Sequence, residues 1–446
     1  MTVVQRFIAT FDLGCIAGAN RELPIMRGKQ DRQEEARIRS TTLWFTLLQN
    51  IAVSLFASLY IWWHRANYVT WEIIAATVAI ITFIIATFQS VYSTFFSGAQ
   101  AFVPLSKVIL IGSLLEGLLF PLGAYIWGLG GLMAMSIVST VIRAWLFFFS
   151  SQALQISIHF KVFKDVLRRL LSFGFFLRLV DYPNALFSLA SILWVTKFMT
   201  KQDLALFSMA AAFFLQVTDL TTRVGVVYSM RFLEQGGSDT PRQAMALQLK
   251  QYLFMQLLVA VPLLSWAAGV WLPFVVRTFL PKYTAAIPSI IVLLMCNYFY
   301  VLNSGLTNPW VLEKRLIARG IANLAGLLMM GSSLAVFWFL LGRRTITDLA
   351  YATLIGNSLY FIYMVIAVGK DLWRLSECLE IILAVTCAAG WTLLVLQTGY
   401  ASVSPPAGWL TNLKYTLFMG GWTLAAILLV PAYGLKRSQL LTRLRT

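Results

Sequence analysis

Apolar segments of about 20 residues follow one another along the chain with only short polar breaks. Hydrophobic residues make up 59% of the 446 residues and charged residues 12%, whereas soluble domains have about 25% charged residues. A helix needs about 20 apolar residues to cross the hydrocarbon core of a membrane. The sequence therefore predicts an all-α polytopic membrane protein. The thirteen candidate spans lie at residues 3–26, 42–63, 71–96, 105–128, 129–150, 170–197, 203–229, 248–274, 285–306, 317–341, 349–368, 378–397 and 413–434.

Lys and Arg are concentrated in alternate breaks between these segments. One set of breaks carries basic groups at 27–39, 107, 161–169, 231–250, 314–319, 370–374 and 436–445, whereas the opposite set carries fewer. Because cytoplasmic loops are enriched in Lys and Arg, the first set and the C-terminus are predicted to be cytoplasmic. This topology also accounts for the net charge of +17, so the charge does not indicate a nucleic-acid partner.

The first segment, 3–26, is unusual on this orientation. It begins on the outer side of the membrane, yet no earlier span or signal peptide precedes it to carry its start across. We expect either that the true start of the protein lies upstream of Met1 or that this helix inserts unconventionally.

Several ionisable side chains fall inside the apolar segments. A lone charge at the centre of a transmembrane helix costs about 2.5 to 3.5 kcal/mol, so such residues usually face a bundle interior or a hydrated cavity. From the helical rise, most of them are expected about 10 Å from the cytoplasmic face, in one layer. They are Asp12, Arg21, Glu22, Glu116, Arg143, Arg178, Asp181, Asp219 and Arg223.

Two adjacent segments carry polar residues at steps of three and four, which places those residues on one helical face. The first holds Arg178, Asp181, Asn184, Ser188 and Ser191, and the second Gln216, Asp219 and Arg223. Two interpretations remain open. The charges could neutralise each other as structural pairs, or they could meet an anionic substrate, for which the donor fork of arginine is well suited.

No motif for catalysis, metal binding or phosphate binding appears in the sequence. The two histidines have no carboxylate or cysteine at ligand spacing, and the four cysteines form no CxxC pair. We therefore expect a protein that is not an enzyme and that has no bound metal or cofactor.

The N-terminal stretch carries Asp12, Leu13, Gly14, then Asn20, Arg21, Glu22, Pro24, then Gly28, Lys29 and Asp31. This series resembles the DLG, NRE and GKGD pattern of bacterial lipid-linked oligosaccharide flippases, the O-antigen and capsule repeat-unit translocases of the multidrug/oligosaccharidyl-lipid/polysaccharide exporter superfamily. Residues 170–179, 207–234 and 279–294 are similar to that family's seventh, eighth and tenth helices.

The resemblance implies a two-lobed, MATE-like bundle that lacks the family's first helix. The N-lobe would cover 1–150, the C-lobe 151–374, and two extra helices with a basic cytoplasmic tail 375–446. By alternating access, the chain would flip a polyprenyl-pyrophosphate-linked oligosaccharide across the bacterial cytoplasmic membrane for surface polysaccharide assembly. Membrane lipids, a polysaccharide polymerase and glycosyltransferases are the expected partners, and a proton gradient, a sodium gradient or the membrane potential is the expected driving force.

The candidate site residues follow from depth and charge together with this resemblance. The anionic headgroup is assigned to Arg143, Arg178, Arg223 and Asn184, and coupling or orienting roles to Asp181, Asp219 and Glu116. The alternatives are a cation-coupled drug or metabolite exporter of the same superfamily, and a scaffold that does not transport.

Overall fold

The computed structural model describes residues 13–153, 161–238, 240–257 and 272–402. Within these ranges the regular structure is helical and no strand occurs. The α-helices are α1 Cys15–Gly28, α2 Arg32–Trp63, α3 Thr70–Gly98, α4 Phe102–Ala153, α5 Lys164–Phe198, α6 Lys201–Gly237, α7 Arg242–Met255, α8 at 272–279, α9 Ile287–Leu306, α10 Asn308–Leu312, α11 Leu316–Ala335, α12 Ile346–Leu372 and α13 Leu375–Ser402.

Helices long and apolar enough to cross a membrane make this a multi-pass membrane protein. Six qualify in the described ranges: Arg32–Trp63, Thr70–Gly98, Phe102–Gln152, Pro281–Leu312, Leu316–Leu340 and Ile346–Leu372. The all-helical fold expected from the sequence is confirmed. The predicted segment 413–434 and the start of segment 3–26 lie outside the described residues.

Helix α4 is a helical hairpin rather than one straight rod. Its backbone leaves helical geometry at Trp127 and Gly128, and Gly128 has φ +58° and ψ −134°, which side chains with a Cβ rarely adopt. A Cβ at Gly123 would meet the carbonyl oxygen of Gly131, so glycine lets the two arms approach closely. The predicted break between segments 105–128 and 129–150 is confirmed at this turn.

The chain separates into two compact units. The first unit comprises Met1–Val180, Ser229–Thr240 and Val311–Leu316, and the second comprises Asp181–Tyr228, Pro241–Trp310 and Ile317–Thr446. The lobe bounds expected from the sequence, at residues 150 and 374, stay predictions.

Each unit has its own apolar core. In the first unit, Leu23, Ile38, Phe95, Phe96 and Leu170 are fully buried and join α1 to α2, α3 and α5. In the second unit, α9 is buried along nearly its whole length and packs against α12 and α13. Because α9 is enclosed on most sides, its buried Asn297 and Asn303 need partners inside the protein.

Candidate functional site

The charged residues of α1 form a buried cluster in the first unit. Arg21 and Glu22 are only 6% and 4% exposed and form an ion pair with each other. Arg21 Nε and Nη2 also donate to the carbonyl oxygens of Val311 and Leu312, each at 2.8 Å. The Arg21 guanidinium lies 4.8 Å from the centre of the Phe173 ring. This arginine thus ties α1 to α5 and α10.

Glu22 belongs to a wider network of ion pairs in the same unit. Its second carboxylate oxygen lies 3.7 Å from Arg169 Nε, and Arg169 Nη2 donates to Glu34 at 2.6 Å. Arg37 bridges Glu34 at 2.8 Å and Asp165 at 2.5 Å. Arg21 and Glu22 therefore already have protein partners, and their arrangement is that of residues that hold helices together.

The glycines of the same stretch allow close contact between backbones. Gly14 has φ +85°, and a Cβ there would overlap the backbone of Gly174 in α5. A Cβ at Gly28 would overlap the carbonyl oxygen of Glu234 in α6. Pro24 is buried and Asn20 is half-buried in α1. Asp12, which the sequence analysis placed in this set, lies outside the described residues.

Arg27, one or two turns further along α1, makes a more exposed contact. Its Nε lies 3.3 Å from Glu234, and its Nη1 donates to the carbonyl oxygen of Ala99 at 2.6 Å. Gln100 donates to the same Glu234 carboxylate. The end of α1, the turn after α3 and the end of α6 therefore meet at one carboxylate.

The structure brings Glu116 and Arg143 together on the two arms of α4. Arg143 Nη2 lies 2.8 Å from Glu116 Oε2, and the two side chains are 22% and 31% exposed. The pair has the distance of an ion pair but not the direction of a hydrogen bond, since Arg143 Nε and Nη2 are buried without a hydrogen-bond acceptor in the described part of the chain. The two arms of α4 are therefore joined by an ion pair.

Arg178 and Asn184 lie on α5 in different units. Arg178, in the first unit, has an exposed side chain, and Asn184, in the second unit, is half-buried. Asp219 and Arg223 lie on α6, but their side chains lie outside the described residues, as does that of Ser188 on α5. The expectation that Arg178 and Arg223 lie at one depth with Glu116 and Arg143 stays a prediction.

Asp181 is the centre of a polar network in the second unit. Arg319 donates to both of its carboxylate oxygens, at 2.8 and 3.0 Å, and Asn323 donates to Oδ1 at 3.2 Å. Tyr360 in turn donates to Asn323 Oδ1 at 3.0 Å. A bidentate pair with arginine is among the strongest contacts a carboxylate can make.

The sequence analysis named Asp181 but missed Arg319, Asn323 and Tyr360. It treated Arg319 as a topological charge at the cytoplasmic end of a span. A signal was nevertheless present, because Arg319 and Asn323 are four residues apart and so share one face of α11.

A small cavity of about 30 Å³ also lies in the second unit, lined in part by Ser191, Tyr300, Thr353 and Asn357. That volume holds a water or two. Asn357 is 3% exposed, and its Oδ1 has no hydrogen-bond partner within the described ranges. Ser191 had been assigned to the polar face of its span, and it is buried at this cavity.

The described residues contain no group of three His, Cys, Asp or Glu side chains that could hold a metal ion. Cys15, Cys296 and Cys378 are buried free thiols, and Cys387 is an exposed one.

At the level of sequence, the chain matches no family model and no curated protein. Solved structures do match. The MATE transporter ClbM in complex with Rb⁺ aligns with a TM-score of 0.63 and 13% identity, over 86% of this chain and 88% of ClbM. The Vibrio cholerae MATE transporter VcmN in its bent form aligns with a TM-score of 0.62 and 10% identity, over 87% and 88%.

The lipid II flippase MurJ in an inward closed conformation aligns with a TM-score of 0.58 and 15% identity. This alignment covers 95% of the present chain and 93% of MurJ. At such low identities the likeness concerns the backbone and not the ligand. The chain has the helical fold that MATE transporters share with the flippase MurJ.

Proposed function

We propose that this protein is an alternating-access membrane transporter that flips a polyprenyl-pyrophosphate-linked oligosaccharide across the bacterial cytoplasmic membrane. The fold supports a transporter, since it is the fold of MATE transporters and of a lipid II flippase. The resemblance of the stretch from Asp12 to Asp31 to oligosaccharide flippases supports the glycan branch. A lipid-linked glycan that is assembled in the cytoplasm must cross this membrane to reach the cell surface. In the proposed orientation, the C-terminus of the protein lies on the cytoplasmic side.

The observation that carries the substrate class is the state of Arg143. Its charge is balanced by Glu116 at 2.8 Å, and its side chain is 22% exposed, so it is not fully enclosed by the protein. A pyrophosphate would supply acceptor oxygens in the planar arrangement that a guanidinium fits.

The remaining residues complete the proposal. Arg178, Arg223 and Asn184 would contact the same headgroup, and Glu116 would orient Arg143. Asp181 and Asp219 would bind a coupling proton or sodium ion. For Asp181, this ion would have to replace Arg319, which already pairs with the carboxylate. The buried Arg21 and Glu22 cluster would hold α1 in place without touching substrate. Glycosyltransferases would supply the lipid-linked glycan, and a polymerase would consume it after transport.

The test follows polyprenyl-linked glycans in cells that lack the gene. Mass spectrometry measures their amount, and a membrane-impermeant reagent reports which leaflet they occupy. We expect glycolipid to accumulate on the cytoplasmic side, and wild-type protein to release it. Arg143→Gln should fail to release it at equal protein level. Arg143→Lys should release only part of it, because lysine keeps the charge but lacks the planar set of N–H donors of the guanidinium.

The matched control is Arg65→Gln, which removes an exposed arginine from the short turn Arg65–Asn67. It should restore release fully. If the deletion strain makes the glycolipid but traps none of it, the flippase proposal is wrong. Export of a drug or metabolite would then be the better proposal, consistent with the likeness to MATE transporters.

A further inference from the structure

A groove on the first unit runs along the outer side of the first turns of α5. Its volume is about 570 Å³, and it is wide open on one side. Lys164 and Arg168 lie at one end, and Leu13, Leu171, Phe175 and Phe176 form most of the remaining wall. The groove therefore combines a basic end with an apolar floor.

The helical period of α5 separates two sets of charged residues. Asp165 and Arg169 lie on one face, and both are engaged in ion pairs, with Arg37 at 2.5 Å and Glu34 at 2.6 Å. Lys164 and Arg168 each lie one position before Asp165 and Arg169. Because they are four residues apart, Lys164 and Arg168 lie on one face of α5, next to the face that carries the paired residues. Both are exposed, and neither forms an ion pair with any residue that the structure describes. Their charge is thus available to a partner outside the protein.

The apolar part of the groove is open as well. Phe175 and Phe176 are 50% and 56% exposed, and their rings meet edge to face at 6.2 Å. These rings begin about two turns into the helix from Arg168, so they lie at greater membrane depth than the basic pair. A ligand that matches the groove needs an anionic head and an apolar tail.

The expected orientation places this end of α5 at the cytoplasmic face. The cytoplasmic leaflet is anionic. Each Lys or Arg near its surface increases the protein's affinity for that leaflet about fivefold. The long side chains of Lys164 and Arg168 can reach the headgroup level while their stems cover apolar surface. The basic end, the apolar wall and the position at the cytoplasmic face all fit a ligand with an anionic head and an apolar tail.

We propose that this groove binds an anionic phospholipid of the membrane. The lipid phosphate is held by Lys164 and Arg168, and one acyl chain lies along Leu171, Phe175 and Phe176. Neither Arg143 nor Asp181 lines the groove. Its occupation does not depend on what the protein transports, so the proposal stands or falls independently of the flippase proposal.

The experiment measures binding of fluorescent phosphatidylglycerol to the full chain in a neutral detergent, with fluorescent phosphatidylcholine as the comparison. Wild type should prefer phosphatidylglycerol. The variant Lys164→Gln/Arg168→Gln should bind it about 10- to 30-fold more weakly, because two attractions of about fivefold each are lost. The preference should also decrease as salt is raised.

Lys370 and Arg374 provide a matched control pair. They have the same residue types, the same order and the same spacing, they are exposed, and they lie in another basic break predicted to be cytoplasmic. The variant Lys370→Gln/Arg374→Gln should keep the affinity of the wild type. Equal losses in the two double variants would mean a general surface attraction and would overturn the proposal.

The apolar half of the groove is tested with Phe176→Ser, a change at an exposed side chain that removes no core contact. It should weaken binding of long-chain phosphatidylglycerol and leave a short-chain form unaffected. Unchanged phosphatidylglycerol binding in Lys164→Gln/Arg168→Gln would refute the site. The site would also be refuted if this variant lost binding of an isoprenoid phosphate but kept its binding of phosphatidylglycerol, since the groove would then bind an isoprenoid lipid.

Discussion

Replacing Arg21 by Met should destabilise the protein strongly, because the arginine is the hub of a buried polar cluster. It is 6% exposed, pairs with Glu22, and donates to two carbonyl oxygens at 2.8 Å. Its loss would leave Glu22, which is 4% exposed, with Arg169 at 3.7 Å as its remaining ion-pair partner among the described residues. Removing one member of a buried ion pair costs about 3–5 kcal/mol, mainly because the remaining charge stays buried.

Thermal unfolding of the purified protein in detergent, followed by the loss of its monodisperse elution peak, measures this effect. A change of 1 kcal/mol shifts Tm by about 2–4 °C in a domain of about 150–250 residues, so a loss of about 3–5 kcal/mol should lower Tm by about 6–20 °C. The double variant Arg21→Met/Glu22→Gln should regain part of this loss, since it no longer buries an unpaired carboxylate.

Arg27→Met is the matched control. Arg27 lies in the same helix and also contacts one carboxylate and one carbonyl, but its side chain is 39% exposed. Exposed pairs contribute about 0–1 kcal/mol, so Tm should decrease by no more than about 2–4 °C. An equal decrease in both variants, or an unchanged Tm in Arg21→Met, would refute the argument that burial determines the cost.

Three further predictions concern other parts of the fold. Gly14→Ala should abolish the monodisperse peak because φ is +85° and a Cβ would overlap the neighbouring backbone, whereas Gly117→Ala, with open space around it, should elute as wild type does. Asp181→Asn and Arg319→Gln should each lower transport and Tm, and the double variant should lower Tm by less than the sum of the two; additive losses would show that the residues act separately. The pKa of Glu377 is held below its usual range by the N–H of Arg374 and by Lys250, so this carboxylate stabilises the protein above its ordinary pKa and the contribution is lost as pH falls below that value. Tm of the wild type should therefore decrease more between pH 6 and pH 4 than Tm of Glu377→Gln, and parallel curves would contradict this.

The membrane-spanning helices could be predicted from the sequence because their signal is local. A segment of about 20 apolar residues identifies itself without knowledge of its neighbours. The hairpin of α4 was also predictable, since residues 128–131 include three glycines between apolar segments. The burial of α9 could not be inferred, because an apolar helix facing lipid and one facing protein have the same composition.

The candidate site was predicted only in part, for a similar reason. Residue type and depth identified Glu116, Arg143 and Asp181 as charges that need partners. The pairing of Asp181 with Arg319 joins residues 138 positions apart, and helical periodicity relates residues only within one helix. The same limit concealed the contacts of Arg21 with the carbonyl oxygens of Val311 and Leu312.

The hairpin of α4 has a consequence for how the protein enters the membrane. The first arm carries Glu116, the second carries Arg143, and the two arms are joined at Trp127 and Gly128 without a polar loop. Each arm inserted alone would bring one unbalanced charge into the lipid, at a cost of about 2.5–3.5 kcal/mol. Inserted together, the arms neutralise each other, so the translocon should release them as one unit. A fragment ending at Trp127 should therefore insert less efficiently than one ending at Ala153, and Glu116→Gln should remove most of the difference.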